Sequence, residues 1–138
     1  MKLDLILRVT TKLILPFMLL FALYVQLHGD FGPGGGFQAG VIAAGMIILY
    51  SLVFGLRAAQ RVIPMSVVMR AIPLGVLIYL GVGVVAMMKG GAFLNYSTLA
   101  SHAEHGQHTG ILLVELGVLV TVASTMVGIF YAFVERGR

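Results

Sequence analysis

Three groups of residues in this sequence have types and spacings suited to chemistry. The first is Glu115, a lone carboxylate inside a long apolar run. An ionised acid at the centre of a bilayer costs roughly 2.5–3.5 kcal/mol on insertion scales, and less toward the interface. A carboxylate so placed faces a partner or a wet cavity, or stays protonated through a raised pKa. Two readings follow: a cation or proton relay position, or an ion pair with a neighbouring helix that holds an assembly together. The second group is the stretch from Asp30 to Gly40, with Pro33, Gly34, Gly35, Gly36, Phe37 and Gln38 at its centre. Three successive glycines after a proline allow φ > 0 and close backbone approach. This is either a tight hairpin anchored by Phe37, or an unwound backbone whose carbonyls take a cation. The free amides at the start of the following helix make that end electropositive, and Asp30 is placed to serve there as counter-charge. The third group is His102, His105 and His108 beside Glu104. Imidazoles can bind zinc or copper. Ligands three apart converge poorly on a helix, however, so an exposed polar loop is the preferred expectation and no metal site is expected.

The elements that must position these groups are membrane helices. Of the 138 residues, 59% are hydrophobic and 10% charged, where soluble domains carry about 25% charged residues. Mean hydropathy is +1.03. The expectation is an all-α, polytopic membrane protein, a single membrane domain over residues 1–138 with spans at about 5–28, 37–56, 71–88 and 109–133. The net charge of +4 reflects basic residues flanking apolar spans; these are topology signals and lipid-headgroup contacts, so no nucleic-acid partner is expected. Cysteine is absent, which removes disulfides and thiolate metal sites. No nucleophile–base pair or phosphate loop is visible. The chain reads as a transport or assembly component without catalytic residues or cofactors of its own.

Within this frame, Arg8 and Lys12 sit at i, i+4 near the start of span one and snorkel from one face, and Pro16 predicts a kink. Gly36, Gly40 and Ala44 repeat every fourth residue, which opens a flat strip for close helix packing. Pro64 and Pro73 bound a candidate surface helix, Met65–Ile72. Lys89 to His108 reads as the longest extramembrane connection. Glu115 then lies about 9 Å into a helix beginning near Thr109. Eight of the nine Lys and Arg fall in the amino-terminal segment, the second connection and the tail. By the positive-inside bias both termini are cytoplasmic, and the glycine turn shares the outer side with the histidines.

Pro33-Gly34-Gly35-Gly36-Phe37-Gln38 resembles the B-subunit family (MrpB/MnhB) of the multisubunit Mrp-type Na+/H+ antiporters. Gly90-Gly91-Ala92-Phe93-Leu94-Asn95 and Thr109 to Val118 agree in kind and order, and Ala39 stands where another glycine is expected. The resemblance implies a small subunit in a large assembly of the bacterial cell (inner) membrane, with other antiporter subunits and the lipid bilayer as partners and Na+ and H+ as transported ions. The ion-path candidates in this sequence are Glu115, Asp30 and Gln38, and Pro33, Gly34, Gly35, Gly36 and Phe37 form the structural glycine motif. Related subunits occur in membrane-bound hydrogenases, which makes such a complex the alternative host. A self-sufficient four-helix exporter is a further rival, disfavoured because the acid lies shallow in the last span and Trp is absent.

Overall fold

The computed structural model describes residues 2–29, 33–100 and 102–137. Among them are five α-helices: α1 (Lys2–Leu27), α2 (Gly36–Phe54), α3 (Leu56–Val62), α4 (Met65–Met88) and α5 (Ala103–Arg136), with a 3-10 turn at Tyr96–Thr98. Four of them, α1, α2, α4 and α5, are long and apolar enough to cross a membrane. No strand occurs among the described residues.

Helix α5 runs along both α2 and α4, and small residues set both contacts. Along α2, Gly36 meets the backbone of Glu115, and Gly40 meets Leu119 and Val122, so the two helices run in the same direction. Gly36, Ala39, Gly40 and Ala44 are all buried. The small-residue strip expected from the sequence is therefore filled from within the chain, by α5. Along α4 the direction is opposite: Gly75 meets Gly117 and Thr121, while Gly128 meets Val68. At that crossing a Cβ on Gly117 would lie 2.7 Å from the Gly75 carbonyl oxygen, so the two backbones touch. The Thr121 hydroxyl donates to the Ile72 carbonyl at 3.1 Å and adds a polar tie where packing alone drives association. Because a Cβ on Gly75 would sit 2.7 Å from the Thr121 amide nitrogen, Gly75→Val forces the helices apart. The expected cost is about 3 kcal/mol, at the upper end of ordinary overpacking. It is checked by unfolding of the purified chain in mixed micelles, where unchanged stability would contradict so tight a crossing.

Helix α1 packs antiparallel to α2, with Met18 near Gly45 and the Lys12 ammonium 5.7 Å from the Phe54 ring centroid. The contact is favourable for a cation leaving the bilayer core. Helix α1 is otherwise the most exposed span, and Leu13, Phe17 and Leu20 each expose more than 60% of their surface. At the opposite end from the glycine turn, α3 closes the bundle. Leu56 and Ala59 join Ala44, Val68, Val127 and Tyr131 in the main core. The Tyr131 hydroxyl donates to the Ile63 carbonyl at 3.3 Å, and Gln60 donates to the Glu135 carboxylate at 2.7 Å.

Two local expectations are corrected. Met65–Ile72 is not a separate surface helix. Helix α4 is continuous through Pro73, because proline in a membrane helix is tolerated where its surroundings satisfy the backbone. The short helix instead precedes Pro64, as α3. The polar segment before Thr109 is not all loop: α5 starts at Ala103, with His102 at its N-cap and Glu104 in its first turn, a favourable sign for the helix dipole. Helix α5 is thereby 34 residues long, about 50 Å at 1.5 Å per residue.

Candidate functional site at the glycine turn

The chain turns back between α1 and α2 through glycines with little freedom of choice. The Gly35 amide donates to the Val25 carbonyl at 3.0 Å, which fastens the turn to the last turn of α1. Gly35 is buried and has φ +119°, a conformation that side-chain-bearing residues rarely adopt. A Cβ on Gly34 would lie 2.8 Å from the same Val25 carbonyl oxygen. The motif is thus a backbone-to-backbone joint.

Against this joint lies Glu115. A Cβ on Gly29 would be 2.7 Å from its Oε2, one on Gly35 would be 2.9 Å from its Oε1, and one on Gly36 would be 2.9 Å from its Cα. The two sequence features singled out separately therefore form one site, across some eighty residues of chain. The carboxylate sits at the N-terminus of α2, where Gly35 provides no side-chain cap. The free amides there carry a partial positive charge of roughly half an elementary unit, opposite in sign to a carboxylate. Asp30, expected as a counter-charge at this same end, lies outside the described residues. Pro33 is exposed at the turn, and Phe37 and Gln38 are exposed on the first turn of α2, away from the buried face that meets α5. Gln38 is accordingly not brought to Glu115.

One residue of this neighbourhood is absent from the sequence-based expectations. Gln26 is 4% exposed, and neither its amide oxygen nor its amide nitrogen has a hydrogen-bond partner. It shares the buried stripe of α1 with Ala22 and Val25, one turn before Gly29. The only sequence signal for it is a single amide in the last turn of an apolar span.

The connection from α4 to α5 folds back on the bundle. The Phe93 ring covers Gly83 and the Tyr96 ring covers Gly110, leaving no room for a Cβ at either glycine. Asn95 accepts from the Ser97 amide at 3.3 Å, and the Lys89 ammonium donates to the Leu99 carbonyl at 2.8 Å. Burial raises the Tyr96 phenol pKa, and nearby Tyr79 adds to the effect. His102, His105 and His108 are exposed, and the His102 and His105 rings meet edge-on at 6.1 Å between centroids. Among the described residues no group of three or more His, Cys, Asp or Glu is arranged to hold a metal ion.

Comparison with known proteins gives a consistent result. Residues 6–128 match the family model described as "Domain related to MnhB subunit of Na+/H+ antiporter". The chain is 31% identical over 133 residues to the B subunit of the Na(+)/H(+) antiporter of Bacillus subtilis (strain 168), covering 89% of this chain and 92% of that protein. It is 33% identical to the putative antiporter subunit mnhB2 of Staphylococcus epidermidis (strain ATCC 12228 / FDA PCI 1200), over 98% of this chain and 96% of the relative. With the corresponding protein of Staphylococcus aureus (strain Newman) the identity is 34%, over 90% and 89% of the two chains.

Proposed function

Because this chain belongs to the family of MnhB-type subunits of Na+/H+ antiporters, we propose that Glu115 and the glycine turn form an element of the sodium path in a multisubunit antiporter. The chain is a multi-pass bacterial membrane protein and a subunit of such an antiporter. The observation that carries the finer reading is the contact of the one acid well inside a span with Gly29, Gly35 and Gly36. Ionisable groups within membrane spans mark ion pathways by default.

The chain works with companions. Helices α2 and α5 bury their small-residue faces against each other, while α1 exposes a broad apolar surface that fits lipid or the helices of other subunits. The distribution of Lys and Arg supports both termini in the cytoplasm, which puts the glycine turn and Glu115 at the extracytoplasmic end. Asp30 is kept as an ion-path candidate on its place in the sequence alone. The test is reconstitution. Proteoliposomes holding the chain alone are expected to show no Na+/H+ exchange, whereas the complete complex exchanges and the complex lacking this subunit does not. Exchange by the isolated chain would instead establish a self-sufficient transporter and discard this reading.

A further inference from the structure

The Gln26 amide is a physical anomaly. Leaving a buried donor or acceptor without a partner costs about 1–3 kcal/mol, and here both ends of one amide are left so. Each of these atoms is shielded from solvent by the chain itself, so no neighbouring subunit or lipid headgroup can reach them from outside. Whatever satisfies the amide is small enough to enter the bundle. Three residues on, just past the end of α1, Gly29 abuts the Glu115 carboxylate, so the amide and the acid occupy the same end of the bundle.

We propose that Gln26 and Glu115 together bind one Na+ ion, with the amide and carboxylate oxygens as its side-chain ligands. The inference rests on the sodium-path reading above and names a ligand that reading lacks. Hard cations take oxygen donors, and both side chains supply them. The charge balance suits a transported ion. The α2 N-terminus offsets about half of the carboxylate charge, so the ion is held less tightly than at an isolated acid. A conducting site must admit its ion and also release it.

The experiment uses the whole complex in everted vesicles and follows Na+-dependent collapse of a pH gradient. Gln26→Leu removes the ligand at nearly constant volume and satisfies the core. It is expected to raise the half-saturating Na+ concentration tenfold or more, with subunit assembly and maximal rate retained. Gln26→Glu keeps an oxygen ligand and is expected to hold half-saturation within threefold of the parent. An assembled Gln26→Leu complex with half-saturation within twofold of the parent overturns the proposal, and assigns the amide to a bound water only. If Gln26→Leu does not assemble, Gln26→Asn is read by the same criterion; failure of both to assemble makes Gln26 a structural residue and also overturns it. The two readings fail separately. Unaltered transport in Glu115→Gln removes the sodium path itself, whereas loss of transport in Glu115→Gln beside unaltered Na+ dependence in Gln26→Leu removes only the role of Gln26.

Discussion

Glu115→Gln is expected to leave the antiporter assembled and to lower Na+/H+ exchange at least tenfold. The substitution keeps the side-chain volume and one acceptor oxygen, replaces the other oxygen by an NH2 donor, and deletes the charge. The favourable interaction of the carboxylate with the α2 N-terminus that is lost is worth about 0.3–1 kcal/mol for a charge at a helix end. That is too little to undo a bundle whose helices meet backbone to backbone. A large fall in transport with intact subunit stoichiometry therefore reports an ionic role, measured by co-purification beside vesicle exchange assays. Full transport in the assembled variant would reduce Glu115 to a counter-charge for α2.

Gly36→Val is expected to give the opposite pattern, with no assembled complex and thus no exchange. A Cβ at this position would fall 2.8 Å from the Glu115 carbonyl carbon and 2.9 Å from its Cα. Neither atom belongs to a flexible side chain, so the strain cannot be relieved by a change of rotamer. Helix α2 must move away from α5, and the adjoining contacts at Gly40 with Leu119 and Val122 are lost with it. Overpacking of a well-filled core typically costs about 1–3 kcal/mol and at times more. A branched side chain between two backbones belongs at the top of that range. Blotting of membrane fractions for this subunit and its co-purifying chains checks the outcome, and normal assembly of Gly36→Val would contradict the contact.

The two variants also show which features can be read before the fold is known. The spans and the Gly36, Gly40 and Ala44 strip are legible because hydropathy and small-residue spacing are local, and helices translate local spacing directly into faces. The meeting of Glu115 with the glycine turn is not legible. It depends on α2 and α5 running side by side in the same direction, a tertiary fact that no single window contains. The start of α5 is hidden for a different reason. Glu104, His105, Gln107 and His108 are polar, and polarity suggests loop, although Glu and Gln are good helix formers and an acid suits a first turn. Pro73 misleads in the same way, since its breaking tendency weakens where neighbouring helices support the backbone. Gln26 escapes notice because one amide among apolar neighbours looks like an interfacial residue until its burial is known.

The grip on α5 from two sides has a mechanical consequence. Glycine contacts with α2 on one flank and α4 on the other leave that helix no slack to slide or roll, so it acts as a keel. Glu115 is bolted to the keel. Any alternation in which side of the membrane the acid can sense must come from the hull around it: the loosely covered α1, the hairpin that ties α1 to α2, or the subunits lying alongside.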